Sequence, residues 1–448
     1  MASAKNTCYA VNMKKAFFIG IGGIGMSALA STMQAKGWEI CGSDQNSSQI
    51  TEDLKKNGAT IYPNHKGDHI NTDTTLVIYS EAIPQDNPEL AKAKLLQIKA
   101  ITYARALADL ANDHHLVLIT GTHGKTTTTG MLTKIALETE LEPTVVIGGK
   151  MKELDNKNFR IGESDLWIVE GCEYRKSFLN FKPNILVLTN LDVDHLDYYE
   201  TEQNYFDAFV EMIKNVKENG IIVFAEDDER SAKAVNIAGA QRRDLRIHTF
   251  SQENIRELEL KLLVPGKHNR ANALAAVYCA EALGVPASKA VEAVNKFTGT
   301  WRRLEYIGEI EGAKFYDDYA HHPIEIKATL QALRELYPTQ KICCVFQPHQ
   351  LSRTVHFLHE FGESFSDADT VVVSNIYKVR EKTDHQNTEA EKTLSEADLM
   401  MTIGRTHANV VAGGSLLQTE KLIKQLAPHH DIVIIMGAGD IAKLRKLV

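Results

Sequence analysis

Short runs of apolar residues alternate with amphipathic stretches along the first part of the chain. Apolar runs cover 15–20, 38–44, 75–80 and 98–102, and a helical pattern begins near Ile24. A chain that alternates strands with helices in this way forms a parallel sheet covered by helices. This pattern predicts an α/β domain of the Rossmann-like kind.

Two more series of the same kind follow. The second has apolar runs at 115–120, 165–170, 184–190 and 220–227, and the third has them at 314–320, 341–349, 369–375 and 431–440. Because single domains rarely exceed about 300 residues, a chain of 448 residues predicts several cores. We predict three α/β domains: a Rossmann-like N-terminal domain (1–112), a central parallel-sheet domain (113–298) and a Rossmann-like C-terminal domain (299–448). The polar stretch 380–396 predicts a loop.

The overall charge narrows the kinds of partner that the chain binds. Its 58 acidic and 50 basic residues give a net charge of −8, whereas binding to a nucleic acid normally needs clustered Lys and Arg. No apolar run approaches the roughly 18 residues of a membrane span, and 1–15 lacks the apolar segment of a signal peptide. The six cysteines, including Cys8, lack C-x-x-C spacing, which favours reduced thiols. We expect a cytoplasmic protein without membrane insertion, as a monomer or weak homodimer.

A glycine-rich loop follows the first predicted strand and opens the first predicted helix. It reads Gly20-Ile21-Gly22-Gly23-Ile24-Gly25, and Asp44 ends the next strand. Glycine lets the backbone approach a diphosphate, and the helix N-terminus supplies free N–H donors. The motif predicts a pyrophosphate-containing ligand, either a dinucleotide such as NAD or a nucleotide sugar, since both also carry ribose hydroxyls. A tight strand-to-helix turn without a ligand is the alternative.

A second glycine loop lies between the first strand of the second series and the next helix. It is two residues shorter than the usual G-x-x-x-x-G-K-[ST] pattern. Its backbone N–H groups suit phosphate oxygens, Lys125 suits the β and γ phosphates, and Thr126 suits Mg²⁺. We therefore predict ATP and Mg²⁺ as cofactors and a central domain of the P-loop ATPase type. The predicted nucleotide loop consists of Gly121, Thr122, His123, Gly124, Lys125, Thr126 and Thr127.

Two further polar side chains stand where strands of the second series end. Glu170 ends one apolar run, and His195 follows another. Parallel α/β sheets place ligands beyond the carboxyl ends of their strands, so both groups are expected near Thr126. Mg²⁺ prefers oxygen ligands, so these residues alone favour a hydrogen bond to the loop as the role of His195. Three neighbouring acids fit helix caps or loop positions as well as they fit ligands: Glu173, Asp192 and Asp194.

An ordered set of motifs extends from the first glycine loop almost to the end of the chain. In order they are GIGGIGMS (20–27), GSD (42–44), YSEAIP (79–84), GTHGKTTTT (121–129), TNLDVDHLDYY (189–199), PGKHNRANALAA (265–276), TWRRLE (300–305), DDYAHHP (317–323), FQPHQLSRT (346–354) and GAGDI (437–441). Each motif is short, but all of them in this order are specific. On these residues the chain resembles the Mur ligase family over nearly its whole length.

The resemblance implies an ATP-dependent ligase that joins L-alanine to the carboxylate of UDP-N-acetylmuramate through an acyl phosphate, in peptidoglycan precursor synthesis. The first loop would then hold the UDP-sugar rather than NAD, through Gly22, Gly23, Ile24, Gly25, Asp44 and Ser80. ATP would be bound by the second loop together with His268, Asn269, Asn272, Arg303 and Asp318. Mg²⁺ would be held by Thr126, Glu170 and His195. The catalytic residues would be Lys125, Glu170, His195, Arg303, His321 and Arg353.

The general base of this reaction is not identified by the sequence. His321 and His322 are the candidates, because imidazole titrates near neutral pH. The resemblance places His321 and Arg353 where the amino acid is held.

Two departures from the family pattern bear on the substrates. Gln350 stands where the family usually has Arg, which removes one of two expected carboxylate-binding cations. The stretch after Glu170 reads Gly-Cys-Glu-Tyr-Arg in place of the usual Ala-Asp-Glu-Ser-Asp. Arg175 or Lys176 could supply the lost charge, but a solvated surface pair is the favoured interpretation. These differences leave the amino acid open between Ala, Ser and Gly.

Three alternative functions stay open on the sequence. The first is a sister ligase that adds a preformed peptide to the same sugar nucleotide. The second is an NAD-dependent dehydrogenase with an NTPase domain, which gives no role to the motifs at 317–323 and 346–354. The third is a nucleotide-gated binding module without ligase chemistry.

Overall fold

Three separate β-sheets organise the chain into three α/β domains in the computed structural model, which describes residues 14–251, 259–378 and 393–448. The predicted fold class is therefore confirmed, while the domain limits at 112 and 298 stay predictions. Cys8 and residues 380–392 of the predicted loop lie outside the described residues.

The N-terminal domain contains a parallel sheet of five strands. The strands are β1 Lys15–Ile19, β2 Glu39–Ser43, β3 Thr60–Tyr62, β4 Leu76–Tyr79 and β5 Ala100–Thr102, and the α-helices are α1 Ile24–Ala35, α2 Gln49–Lys56, α3 Pro88–Leu95 and α4 Tyr103–Ala111. Their order is β3-β2-β1-β4-β5. Phe17, Phe18 and Ile19 of β1 are fully buried, because a parallel sheet is covered on both faces. The strand order reverses at β1, which opens a crevice at its carboxyl end, where the first glycine loop lies.

The central domain has seven strands in the order β12-β11-β10-β6-β9-β7-β8. The strands are β6 His115–Thr120, β7 Thr144–Met151, β8 Lys157–Arg160, β9 Leu166–Glu170, β10 Ile185–Leu188, β11 Ile221–Ala225 and β12 Arg246–Phe250. The α-helices are α5 Lys125–Glu138, α6 Leu196–Tyr199, α7 Glu202–Lys214, α8 Glu229–Gly239, α9 Lys267–Ala282 and α10 Ala287–Val294. β8 pairs antiparallel with β7, and the other pairs are parallel. β6 lies between β9 and β10, so the loops after these three strands converge.

The C-terminal domain has six strands in the order β13-β14-β18-β15-β16-β17. The strands are β13 Glu305–Ile310, β14 Ala313–Asp318, β15 Ile342–Phe346, β16 Thr370–Ser374, β17 Val410–Gly414 and β18 Ile432–Met436. The α-helices are α11 Pro323–Leu336, α12 Leu351–His356, α13 Leu358–Gly362, α14 Glu396–Ile403 and α15 Leu416–Leu426. Only β13 runs antiparallel to its neighbour. Five short 3-10 helices complete the described elements of the chain: Gly67–His69, Lys152–Leu154, Tyr174–Asn180, Ala427–His429 and Asp440–Leu447.

The buried apolar clusters divide the molecule unequally. One cluster spans the N-terminal and central domains, from Ala16 and Phe18 to Trp167 and Val169. The clusters on the two faces of the C-terminal sheet contain only residues from Leu304 onward. The first two domains therefore share a core, whereas the third domain has its own. No helix in the described ranges is both long enough and apolar enough to span a membrane.

Candidate active site

Two glycines with left-handed backbone shape the loop after β6. Gly121 has φ 137° and Gly124 has φ 81°, a region that glycine occupies at little cost. A Cβ atom on Gly121 would collide with Thr189, and one on Gly124 would collide with Asn272. The loop therefore packs closely against the segment after β10 and against α9. It leads directly into α5, whose first turn presents free N–H donors to an anion.

Lys125, the first residue of α5, is held by three acceptors. Its Nζ donates to the carbonyl oxygens of Gly121 at 2.6 Å and Thr122 at 2.9 Å, and to Oε1 of Glu173 at 3.0 Å. Burial alone would lower the pKa of Lys125, but Glu173 and other nearby charges together raise it above its ordinary value. Lys125 is therefore a fixed positive charge at the glycine loop.

Of the predicted metal ligands, Glu170 ends β9, His195 follows β10, and Thr126 lies in the first turn of α5. Thr126 Oγ1 donates to Glu170 Oε1 at 2.9 Å, and the Gly148 N–H donates to Glu170 Oε2 at 2.7 Å. His195 has Nε2 3.4 Å from Oε1 of Glu173, and its buried Nδ1 has no hydrogen-bond partner in the described part of the chain. No three His, Cys, Asp or Glu side chains in the described ranges are arranged to hold a metal by themselves. The Thr126 hydroxyl and the Glu170 carboxylate are oxygen groups of the kind that Mg²⁺ prefers, whereas the imidazole of His195 is a less usual ligand and contacts Glu173.

Glu173 is a site residue for which the sequence favoured a cap or loop position and a ligand role equally. It is 2% exposed, and its carboxylate lies between Lys125 and His195. Burial raises the pKa of Glu173, but Lys125 and His195 more than offset this, so the pKa lies below its ordinary value. The site therefore contains a buried carboxylate anion. The sequence carries two signals for this residue: its position shortly after Glu170, and the Glu that it shares with the usual Ala-Asp-Glu-Ser-Asp stretch.

A cavity of about 550 Å³ lies between the central and C-terminal domains, a volume typical of a small-molecule site. His123, Gly124 and Thr127 of the glycine loop form part of its wall. The five residues that the resemblance adds to the ATP site also line it: His268, Asn269, Asn272, Arg303 and Asp318. The structure thus brings together residues from separate motifs of the sequence around one cavity.

Burial sets the charge of two groups in this cavity. It lowers the pKa of His268 to about 4 and raises the pKa of Asp318 to about 6. The Asp318 carboxylate accepts the backbone N–H groups of Leu304 at 2.6 Å and Ala320 at 2.7 Å. At neutral pH His268 is therefore an uncharged ring, and Asp318 is a fixed acceptor.

Largely buried polar contacts cross the boundary between the central and C-terminal domains. Arg353 Nη2 donates to Oδ1 of Asp194 at 2.9 Å, and its Nε donates to the same oxygen at 3.2 Å. Nδ1 of His123 lies 3.1 Å from Oε1 of Glu325. Arg353 and Asp194 are both largely buried. Asp194 and Glu325 thus join the site, although the sequence did not single out Glu325.

The two candidate bases differ in hydrogen bonding. His321 Nδ1 lies 3.0 Å from the carbonyl oxygen of Tyr319, which fixes the proton on Nδ1 and leaves Nε2 as an acceptor. His322 Nδ1 accepts the N–H of Ile324 at 3.4 Å, which places its proton on Nε2. Burial lowers the pKa of both rings to about 4. Both are therefore neutral near pH 7, and only His321 has Nε2 in the acceptor form.

The glycine loop after β1 faces the ends of β2 and β4. The Gly22 N–H donates to Oδ2 of Asp44 at 2.8 Å, and a Cβ atom on Gly22 would lie 2.8 Å from that same oxygen. Gly23 caps α1, which begins at Ile24. Gly25 packs against the ring of Tyr103, and Ser80 accepts the N–H of Ala82 at 3.3 Å. The residues predicted to contact a UDP-sugar thus belong to the ends of three neighbouring strands.

The departures from the family pattern have distinct surroundings. Arg175 donates to the carbonyl oxygen of Glu81 in the N-terminal domain at 2.9 Å, and Lys176 lies 3.9 Å from a carboxylate oxygen of Glu211. Both cations are close to half exposed. They form surface contacts instead of replacing a charge beside Arg353. Gln350 is buried just before α12 and lines a smaller cavity of about 210 Å³.

Comparisons with known proteins match the whole length of this fold. Three family descriptions apply in order: Mur ligase family, catalytic domain, over residues 15–115; Mur ligase middle domain over 119–280; and Mur ligase, glutamate ligase domain, over 302–439. The UDP-N-acetylmuramate–L-alanine ligase of Clostridium acetobutylicum is 38% identical, with 97% of each chain covered. That of Clostridium kluyveri is 37% identical, with 98% of each chain covered.

Solved structures show the same relationship. The UDP-N-acetylmuramate-alanine ligase of Thermotoga maritima is 28% identical and superposes with a TM-score of 0.79 over 97% of each chain. A murein peptide ligase of Psychrobacter arcticus, 20% identical, shares the fold with a TM-score of 0.69 over 97% of this chain and 98% of its own. The matched motifs, the three-domain fold and full-length relatives agree: the chain belongs to the Mur ligase family.

Proposed function

We propose that the chain is an ATP-dependent ligase that joins L-alanine to the carboxylate of UDP-N-acetylmuramate, in peptidoglycan precursor synthesis. Full-length relatives more than a third identical carry this activity in their names. The observation that carries the proposal is the 550 Å³ cavity, where the phosphate-type loop of the central domain faces Arg303 and Asp318 of the C-terminal domain.

The family uses ATP, and the cavity supports ATP as the nucleotide of this chain. Lys125 and the N–H groups of the loop would hold its phosphates, and Arg303 would approach the γ-phosphate from the C-terminal domain. Asp318 would accept ribose hydroxyls, and Asn269 and Asn272 would contact the adenine. Arg303 and Asp318 come from the C-terminal domain, whereas the glycine loop belongs to the central domain. The ATP site is therefore complete only when these two domains are in contact.

Mg²⁺ is part of the proposal, with Thr126, Glu170 and His195 as the residues that would hold it. When bound, Mg²⁺ neutralises phosphate charge during phosphoryl transfer. Glu170 is already oriented for this by the Thr126 hydroxyl and the Gly148 N–H. A ligand oriented by such partners holds a metal better than a free side chain.

A carboxylate does not react with an amine at neutral pH, so its oxygen must first become a leaving group. Transfer of the γ-phosphoryl group to the muramyl carboxylate gives an acyl phosphate, whose loose transition state is stabilised by cations. Lys125 and Arg303 would supply this charge. The amine of the amino acid then attacks the acyl carbon, phosphate leaves, and the amide remains.

The base that takes the amine proton is proposed to be His321. Its Nε2 is in the acceptor form because Nδ1 bonds to Tyr319, whereas His322 has the opposite arrangement. Burial lowers the pKa of His321 to about 4, which keeps the ring neutral at pH 7 but makes it a weak base, so the proposal rests on the acceptor form of Nε2.

The amino acid is proposed to bind in the smaller cavity. This cavity of about 210 Å³ is lined by Asp194, His195, Gln350 and Arg353 among others. Arg353 would release Asp194 and bind the carboxylate of the amino acid in its place. Asp194 would then be free to attract the ammonium group. Gln350 contributes an amide and no charge. Of the four residues named, Arg353 is therefore the one proposed to bind the carboxylate of the amino acid.

Phosphate release in the presence of UDP-N-acetylmuramate, ATP and each of the twenty amino acids tests the proposal. We expect release with L-alanine well above that with any other amino acid. Release with a preformed peptide but not with L-alanine would support the sister ligase instead. Oxidation of NADH without phosphate release would support a dehydrogenase.

The UDP-sugar site makes a separate prediction. Gly22→Ala places a methyl group against Oδ2 of Asp44, so the carboxylate must move from its place beside the loop that is proposed to bind the UDP-sugar. We expect UDP-N-acetylmuramate to bind about 10–100-fold more weakly, which corresponds to losing a hydrogen bond to a charged group. Isothermal titration calorimetry measures this affinity.

Gly239→Ala is the matched control for Gly22→Ala. A Cβ atom on Gly239, at the end of α8, meets nothing within 4 Å. This variant is expected to bind the sugar nucleotide as the unchanged chain does. Equal binding by Gly22→Ala would contradict the assignment of Asp44 and Gly22 to the UDP-sugar.

We also propose a cytoplasmic location, where ATP and sugar nucleotides are available, and domain limits at 112 and 298. The proposed state is a monomer or weak homodimer.

A further inference from the structure

The ammonium group of Lys125 uses all three of its N–H donors. They go to the carbonyl oxygens of Gly121 and Thr122 and to the carboxylate of Glu173, all within 3.0 Å. An ammonium group has three donors and no acceptor. A phosphate oxygen therefore binds Lys125 only when one of these three acceptors gives up its place.

Glu173 is the acceptor that a phosphate replaces most readily. The two carbonyl groups belong to the glycine loop itself, and they are neutral. Glu173 comes from the segment after β9 and carries the negative charge that a phosphate oxygen would also carry. Its second oxygen lies 2.9 Å from the same nitrogen but takes no hydrogen bond from the described residues.

Glu173 has a second partner that stays with it after such an exchange. Nε2 of His195 lies 3.4 Å from its carboxylate. The hydroxyl of Tyr199 donates to the backbone carbonyl of Glu173, which fixes the backbone while the side chain changes partner. A carboxylate on one nitrogen of an imidazole sets the tautomer and orientation of the other nitrogen.

We propose that Glu173 is a positioning residue, which holds Lys125 and His195 in place and yields Lys125 to a nucleotide phosphate during the reaction. The inference rests on the proposed function, because it takes Lys125 to be the phosphate-binding lysine. Glu173 thus competes with the nucleotide and, once displaced, orients His195.

Glu173→Gln separates these two effects, because it keeps the size of the side chain and removes its charge. A non-hydrolysable ATP analogue is expected to bind at least about threefold more tightly, since no anion then competes for the ammonium group. Phosphate release is expected to fall by about 10–100-fold, because His195 loses its anionic partner. A residue with only a structural role would weaken binding and turnover together.

Isothermal titration calorimetry with the ATP analogue, without metal, sugar nucleotide or amino acid, provides the test. It compares the unchanged chain, Glu173→Gln, Lys125→Ala and the double variant. The gain in affinity is expected only where Lys125 is present. Weaker or unchanged binding by Glu173→Gln overturns the inference, and so does an equal gain in the Lys125→Ala background. Failure of the unchanged chain to bind the analogue overturns the proposed function instead.

Two further variants complete the experiment. Glu211→Gln is the matched control, because Glu211 is exposed and lies 3.9 Å from Lys176; its affinity and turnover are expected to be unchanged. If Glu173→Gln fails to fold, Glu173→Asp replaces it in the test. The aspartate side chain is one methylene group shorter, so its carboxylate lies farther from Lys125. That variant is expected to bind the analogue more tightly than the unchanged chain, and affinity at or below that of the unchanged chain overturns the inference.

Discussion

Replacing Lys125 by Ala is expected to lower phosphate release by about 10²–10³-fold or more, because phosphoryl transfer loses a fixed cation. Binding of UDP-N-acetylmuramate is expected to stay unchanged. Lys125 lies at the start of α5 in the central domain, whereas the proposed sugar-nucleotide site lies at the end of β1. Steady-state phosphate release and calorimetric titration with the sugar nucleotide measure the two effects.

Lys134→Ala is the control for this variant. Lys134 lies on the same helix and pairs with Glu138 at 2.8 Å, near the surface. Its replacement is expected to leave phosphate release unchanged. Near-normal release by Lys125→Ala would contradict the assignment of the glycine loop to ATP.

Replacing Asp317 by Ala is expected to lower the free energy of unfolding by about 3–5 kcal/mol, since it leaves a buried charge without its partner. Asp317 is fully buried, both of its oxygens accept from Nε of Arg302, at 3.2 and 3.0 Å, and Oδ2 also accepts from Arg445, which keeps Glu305 as a partner when Asp317 is replaced. Arg302 is 3% exposed, so water cannot take the place of the carboxylate. Urea denaturation followed by circular dichroism measures the change.

Glu202→Ala removes a comparable pair at the surface. Arg230 and Glu202 are 2.8 Å apart, and both side chains are about half exposed. Its effect is expected to stay within about 1 kcal/mol. If Asp317→Ala and Glu202→Ala lower the free energy of unfolding by similar amounts, burial does not explain the strength of the Asp317 pair.

The sequence predicted the strands whose loops build the site, because these strands are central and apolar. β6, β9 and β10 are almost continuous runs of buried residues. The apolar runs did not predict six strands: β3, β7, β8, β12, β13 and β17. All of these except β7 lie at the edge of a sheet. Edge strands carry fewer buried residues, so their apolar pattern is weak.

The positions of the candidate site residues followed from strand ends and motifs, but their partners did not. Asp194 and Arg353 are 159 residues apart, and His123 and Glu325 are 202 apart. Such contacts depend on how domains pack, which local patterns do not encode. The pairing of Glu173 with Lys125 joins two segments of one domain, and a carboxylate after a strand fits a cap as well as an ion pair.

The unequal division of the apolar cores has a thermodynamic consequence for domain motion. The N-terminal and central domains share one buried cluster, so separating them would expose apolar surface and raise the heat capacity. The C-terminal domain keeps its clusters to itself and meets the central domain through polar contacts such as Arg353 with Asp194. Rotation of the C-terminal domain would therefore break such polar contacts without dividing an apolar cluster. The heat-capacity change of such a rotation is therefore expected to be small, in contrast to that of separating the first two domains.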